Sequence, residues 1–275
     1  MGIKNSWCRD LLESLNNSGI ACEITPHPKL ILINAVDFKV TINCISLFND
    51  LDPVELLAIQ STYAGEGRML VQMWEDVWLS KRRQVLSRIK SLAGKNIRLH
   101  GRKTELVQLT KPNADAFLME HHLQGPVLAR HKFGLLNGTE LVAVATFSGT
   151  RVMKHKGDDY RSAELIRFAS KAGYTITGGL SKIIKHFIAQ VKTNDVMSYA
   201  DRDWSTGKGY ESAGFTFEGS VPPTEIWLDL LTNKRYFSHR LPALSDEHAL
   251  TGNAAHQKRF LKIFNTGNLK YILYL

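Results

Sequence analysis

Two adjacent glycines, Gly178 and Gly179, constrain the fold more than any other pair in the chain, because they stand where YTIT ends and the amphipathic run LSKIIKHFIAQ begins. Glycine admits a left-handed backbone and lets another group approach closely. Ahead of a helix, such a pair leaves the first helical amides of Leu180, Ser181 and Lys182 pointing outward, a geometry that receives anions. The same pair also serves as a plain turn, so the residues around it decide between the two. They are a run with strand character at Asp195–Tyr199 and a Tyr-x-x-x-Gly-Phe segment at 210–215.

Helix and strand patterns alternate through most of the second half. Thr104–Leu109, Phe133–Leu136, Glu140–Phe147, Ala163–Ala169, Asp195–Tyr199, Phe215–Phe217 and Glu225–Leu230 read as strands, with Asn137-Gly138 as a hairpin turn between the second and third. Pro112–His122, Leu180–Val191 and Gly207–Ala213 read as helices, which gives an α/β (α+β) fold class with one mixed sheet flanked by helices. The first hundred residues read as a smaller α/β unit: a helix over Trp7–Leu15, strands at Ala21–Ile24, Leu30–Ile33, Phe38–Ile45 and Arg68–Met73, and a long helix over Glu75–Leu92 stopped by Gly94. The expected division is 1–98 and 99–275.

Charge narrows the partners. The 275 residues carry a formal net charge of +9, which favours an anionic partner, DNA first among them. Lys81, Arg82, Arg83, Arg88, Lys90, Lys95, Arg98, Arg102 and Lys103 follow one another with no acid between Asp76 and Glu105. They read either as a solvated basic helix face or as a surface that tracks phosphates. Cys8, Cys22 and Cys44 are widely spaced and odd in number, which indicates neither a disulfide framework nor a zinc site and fits a reducing cytoplasm. No apolar run is long enough to span a bilayer, so no membrane partner is expected. The sequence leaves the oligomeric state open.

The hairpin GLLNGTELVAVATF, the strand AELIRFA, the loop and helix TITGGLSKIIKHFI, the strand VMSYA and the segment GYESAGF occur in the order found in the N-acetyltransferase (GNAT) superfamily. Over residues 102–230 the chain resembles that superfamily, with the departure that the usual Arg/Gln-x-x-Gly-x-Gly/Ala loop appears as Thr175–Leu180 without its first basic or amide residue. HHLQG, ELIRFASKAGYTITGGLSKIIKHF and SYADRDWSTGKGYESAGF are more specifically similar to a phage-associated branch related to Mom-type DNA-modification proteins, which implies a bacterial host cell. RMLVQMWEDVWLSKRRQVLSRIKSL looks like the end of a nuclease domain similar to very-short-patch-repair and homing endonucleases. Its metal chemistry would need clustered carboxylates. Glu23, Asp37 and Lys39 supply only part of such a pattern and read better as strand-edge charges, so no metal ligands are assigned and the domain reads as a degenerate nuclease.

The resemblance implies acetyl-CoA or another acyl-CoA as cofactor, held at Gly178, Gly179, Leu180, Ser181 and Lys182. It implies an acid at Tyr210, which also reads as a ring packed on Phe215. Asp201 or His122 is the expected base; Asp201 also reads as a helix cap or a partner for Arg202, and His122 as a capping or surface residue. Ser198 and Tyr199 alternate on their strand, so one of them faces the cleft. Glu164, Arg167, Arg202 and Trp204 are the expected substrate or nucleic-acid contacts, joined by Arg82, Arg83, Arg102 and Lys103. Glu164 and Arg167, three apart on a strand, are expected on opposite faces. The implied activity is acyl transfer to a nucleic-acid base or another amine. The alternatives are a non-catalytic DNA-binding protein and a residual Mg-dependent nuclease.

Overall fold

The computed structural model describes residues 5–238 and 259–275. Within them the chain forms two compact units, the described parts of Met1–Ser80, Asp201–Ser205 and Val221–Asn268 in the first, and Lys81–Ala200, Thr206–Ser220 and Leu269–Leu275 in the second. This differs from the expected cut at residue 98, because each unit draws on early and late parts of the chain.

The first unit begins with helix α1 (Ser6–Asn17), which buries Trp7, Cys8, Leu11 and Leu15. Strands β1 (Cys22–Thr25), β2 (Leu32–Ala35) and β3 (Val40–Ile45) follow as an antiparallel meander, and helix α2 (Pro53–Gly65) crosses over to β4 (Met69–Trp74), which lies parallel to β3. The α2 helix has no counterpart in the periodicity reading. Its signal lies at its start, where the Asp52 side chain accepts from Val54 N and Pro53 occupies the first turn. Alternate residues of the sheet then serve different helices. Leu32, Ile45, Leu70 and Trp74 pack with Leu56 of α2.

Helix α3 (Glu75–Leu92) loses helical geometry at Lys81, with φ −134° and ψ 28°, and there the chain passes into the second unit. In that unit β5 (Ile97–His100) leads through a short 3-10 turn, Gly101–Lys103, to β6 (Glu105–Gln108) and helix α4 (Lys111–His121). The hairpin of β7 (His131–Asn137) and β8 (Glu140–Phe147) closes at Gly138, whose φ of +61° only glycine or a turn-favouring residue adopts readily. After β9 (Arg151–Val152) come β10 (Arg161–Ser170), β11 (Tyr174–Thr177), α5 (Gly179–Gln190), β12 (Asp195–Asp201), the single-turn α6 (Lys208–Glu211) and β13 (Thr216–Val221).

The chain next builds a three-stranded sheet from β14 (Glu225–Asp229), β15 (Lys234–Phe237) and β16 (Phe260–Phe264). Ile226, Leu228 and Ile263 join the core under α2, so Glu225–Leu230 belongs to the first unit rather than to the second domain's mixed sheet. The last strand, β17 (Asn268–Tyr274), inserts between β13 and β12, giving the order β13-β17-β12-β10-β8-β7-β6 with β9 beside β10. The architecture is therefore mixed α and β, with sheets flanked by helices.

One face of the large sheet packs on α5 through Ala163, Leu165, Val196, Ile183, Ile184 and Phe187. Its other face packs on α4 through Val144, Ala169, Ala114, Phe117 and Leu118. Among the described residues no helix is long and apolar enough to cross a membrane.

Candidate functional site

The centre of the large sheet comes apart. Strands β10 and β12 run parallel and pair only over Ser162–Glu164 and Asp195–Met197. Beyond that, β10 continues to Ser170 and β12 to Asp201 without a ladder between them. A bulge coincides with the parting, since the β10 register against β8 shifts between Leu165, opposite Phe147, and Arg167, opposite Thr146.

That extra residue reverses the alternation of side chains. Leu165 shares the α5 face with Phe147, and Arg167 takes the face of Thr146, which carries Val144 and Ala169 on α4. Glu164 and Arg167 therefore lie on the same face, not on opposite ones. Tyr199 lies near Glu164, and its phenol is pushed up by burial and then by that carboxylate. Glu164 is itself fixed through its amide, which donates to Ser148 Oγ at 2.9 Å.

At the mouth of the parting, Ser198 Oγ lies 2.9 Å from the Leu165 carbonyl and 3.1 Å from the Tyr210 hydroxyl. The serine has one proton and two acceptors for it. Tyr210 packs edge-on against Phe215 at 5.5 Å and stacks on Tyr271 at 5.4 Å, so both readings of this residue hold together: a packed ring whose hydroxyl reaches the cleft. Burial raises its phenol pKa; the Ser198 contact and the cations of Arg88 and Arg167 oppose that rise. Of the strand pair, Ser198 is the residue buried at the cleft and Tyr199 the half-exposed one behind it.

His122 joins this neighbourhood in a different role from the one expected. Its Nδ1 accepts from Gln124 N at 3.1 Å, which leaves the Nε2 of the neutral ring as a donor. Burial, then Arg167, Arg88 and Lys81, lower its pKa to about 3. A ring in that state does not collect a proton near neutral pH. Arg167 Nε donates to Gly125 O at 3.1 Å, tying β10 to the loop that follows α4.

The second focus is the start of α5. Gly178 has a left-handed φ of +72° and caps the helix without a side-chain bond. A Cβ on Gly179 would lie 2.6 Å from Ile176 Cγ2, so no larger residue fits there. Gly101 packs equally tightly, since its Cβ would lie 2.9 Å from Gly179 N. Lys182 N is already used by Gly178 O at 3.0 Å, which leaves Gly179, Leu180 and Ser181 as the amides of the first turn. The Lys182 ammonium holds the Gly101–Thr104 turn through the carbonyls of Gly101 and Thr104.

A groove of about 450 Å³ opens here, lined by His100, Arg102, Thr177, Gly178, Ser181, Lys182 and Lys185. Arg102 arrives because β5 pairs in parallel with β11, setting His100 beside Thr177. Neither strand was expected from the sequence, and with them goes the only clue to this placement. Arg102 and His100 thus place cationic or protonatable side chains at a loop whose own first position is Thr175.

The other expected contacts scatter. Arg83 pairs with Glu120 of α4 at 2.9 Å, so its counter-charge comes from a helix rather than from the local sequence. Arg82 and Lys103 are exposed. Asp201, Arg202 and Trp204 belong to the first unit. Asp201 Oδ1 caps a turn by accepting from Asp203 N at 3.0 Å, and Trp204 is buried, so its ring is core and not a stacking surface. Among the described residues no three His, Cys, Asp or Glu side chains form a metal-holding group.

No family model matches this chain, and no curated protein matches it. Solved structures do. A Bacillus subtilis acetyltransferase in complex with CoA is 15% identical, spanning 63% of this chain and 98% of that one, with a TM-score of 0.34. A GNAT family acetyltransferase from Elizabethkingia anophelis with acetyl-CoA bound is 11% identical over 63% and 99%, with a TM-score of 0.35. The ribosomal-protein-S18-alanine N-acetyltransferase from Escherichia coli is 12% identical over 62% and 93%, with a TM-score of 0.34.

Proposed function

We propose that the second unit is an acyl-CoA-dependent N-acyltransferase-like module. The parting of β10 from β12, with Ser198 and Tyr210 at its mouth, is the observation that carries this reading. The groove at the start of α5 fits the cofactor's phosphates: Gly178 and Ser181 of the helix start line it together with Arg102, Lys185 and His100. When bound, acyl-CoA supplies an acyl group activated as a thioester.

The chain's own residues then divide the work. Beyond Glu164 β10 has no ladder to β12, and the Leu165 carbonyl is met there by Ser198 Oγ instead of by a strand. Tyr210 holds a proton at its hydroxyl, and the Ser198 hydroxyl, turning from the Leu165 carbonyl, donates a hydrogen bond to that oxygen and steadies it when the proton leaves. On the α4 face, Glu164 beside Tyr199 is the carboxylate placed to take a proton from an attacking amine, a better candidate than His122 or the first unit's Asp201. Arg167 on the same face favours an acceptor that carries negative charge.

The acceptor we favour is an amine on nucleic acid, in a phage-type protein acting inside a bacterial cell. Exposed Lys95, Arg98, Arg102 and Lys103 support that choice. Calorimetric titration with acetyl-CoA tests the reading. Saturable binding that weakens in Arg102→Ala supports it, and no binding at millimolar acetyl-CoA overturns it. The non-catalytic DNA-binding alternative predicts DNA affinity that survives Tyr210→Phe and no acyl transfer at any acyl-CoA concentration.

A further inference from the structure

The first unit contains a row of polar side chains that its fold does not satisfy. On the α2 face of its sheet, Asn34 of β2 stands beside Thr41 of β3, and one pleat further along, Asn43 stands beside Gln72 of β4. Asn43 Nδ2 donates to Gln72 Oε1 at 2.8 Å, with both residues almost completely buried. That bond leaves Asn43 Oδ1 and Gln72 Nε2 without partners. Turning both amides over exchanges the labels and still leaves one donor and one acceptor unmet.

Two more unmet atoms belong to the same face. Gln60 of α2 donates through Nε2 to the carbonyls of Leu70 and Arg202, which leaves Oε1 buried and unpartnered. Arg68 bonds Asn34 Oδ1 and Thr41 Oγ1 through one terminal nitrogen, and its Nε is buried and unpartnered. Further in, at the apolar end, Trp74 Nε1 is a third unmet donor. Burying an unmet polar group forfeits the hydrogen bond it makes with water, so several on one face of one small sheet mark a place completed from outside.

This face opens to solvent. A groove of about 350 Å³ is lined by Glu23, Thr25, Asn34, Thr41, Tyr63, Glu66 and Arg68, and Asn43 lies about 7 Å along β3 from its Thr41 wall. The chemistry of the row selects the ligand. An anion would meet the donors and face two acceptor oxygens together with the carboxylates of Glu23 and Glu66. A cation would meet the acceptors and face the Arg68 guanidinium. Lys39, with Nζ near Gly67, brings the charge around the groove close to balance.

A neutral, planar molecule with donors and acceptors along a rigid edge answers both sets, and the Tyr63 ring offers it a flat wall. We propose that this face of the first unit binds the hydrogen-bonding edge of a nucleobase, entering by the groove over β2 and β3 beside the end of α2 and reaching along β3 toward Asn43 and Gln72. Bases removed from a stack are recognised by these same means, edge hydrogen bonds and aromatic walls. The site is independent of the acyl-CoA groove in the second unit.

The test uses the full chain labelled with ¹⁵N, observed at the side-chain amides of Asn43, Gln60 and Gln72 and at Arg68 Nε. Adenosine, guanosine, cytidine and thymidine are titrated separately, with inorganic phosphate as a further arm. The expected result is a saturable shift of these resonances with at least one nucleoside, and affinity about tenfold weaker in Arg68→Ala, the loss of one good hydrogen bond. The double variant Asn43→Leu and Gln72→Leu, which removes both unmet amide atoms together, should fold and lose the shift of the remaining resonances. Resonances that move with phosphate alone, or with no nucleoside up to solubility, would mean an anion site or ordered water and would overturn the proposal. Acetyl-CoA binding, measured separately, fails or succeeds without bearing on it.

Discussion

The Ser198–Tyr210 cleft of the second unit and the α2 face of the first treat buried polarity differently. In the second unit the cleft groups serve one another: Ser198 spans Leu165 O and the Tyr210 hydroxyl, and Arg167 is fixed on Gly125 O. In the first unit Asp76 and Arg235 form a two-bonded pair at 2.7 Å, while Asn43, Gln60, Gln72 and Arg68 each keep one buried side-chain atom unmet. A site with its internal bonds made is organised for chemistry on something that passes through. A site with bonds missing is organised around something that stays. The contrast extends to protons, because burial raises Asp203 in the first unit to about 7 and lowers His122 in the second to about 3.

Substitutions can break this comparison at several depths. The largest effect is expected from Asp76→Ala, which strands the Arg235 guanidinium and should cost about 3 kcal/mol in denaturant unfolding. A loss no greater than that of a surface pair would show that the first unit does not depend on its matched charges. Next comes Tyr210→Phe, with kcat for acyl transfer down about a hundredfold and acetyl-CoA affinity unchanged. An unchanged kcat would leave the phenol only its packing role.

The pH responses should have opposite signs. Asp203 keeps its proton in the native state up to about 7, whereas an unperturbed carboxyl releases it near 3.8. Stability of the first unit therefore falls as pH rises through that window, by at most about 1.4 kcal/mol per pH unit. His122 stays neutral down to about 3, whereas an unperturbed ring takes a proton near 6.5, so the second unit's stability rises with pH between those values. Residue-resolved hydrogen exchange across pH 4 to 7, corrected for intrinsic rates, reads both slopes at once. Asp203→Asn should flatten the first and leave the second.

Two smaller effects sharpen the picture. Arg102→Ala should weaken acetyl-CoA about tenfold, the worth of one charge-assisted contact to phosphate. Arg83→Ala removes an exposed pair with Glu120 and should change stability by less than about 1 kcal/mol. An Arg83 effect equal to that of Arg102 would place the anion surface on α3 instead of at the α5 groove.

Legibility in the sequence followed the range of the forces involved. The hairpin at Asn137-Gly138 and the helix after Gly179 were readable because their signals are local: a left-handed turn in one case, an apolar stripe in the other. Helix α2 escaped periodicity because its best signal is the Asp52 cap rather than a stripe. The bulge at Leu165–Arg167 left no mark in composition, and it overturned the prediction for Arg167 because one extra residue inverts every alternation after it. Arg102 appeared among local cations, and only the pairing of β5 with β11 carries it to the glycine loop. The return of β14 and β16 to the first unit rests on contacts with residues nearly two hundred positions earlier, beyond any window of pattern reading.

Strand β17 has a consequence for how the chain is made. It lies between β12 and β13, in the interior of the large sheet, and β16 just before it completes the core under α2. A ribosome delivers residues in order, at about 5–20 per second, so neither unit can close its core until residues 260–274 have emerged. During that interval the edge of β12 is open for pairing, and a nascent chain arrested before residue 260 should be captured by holdase chaperones and cut readily by protease.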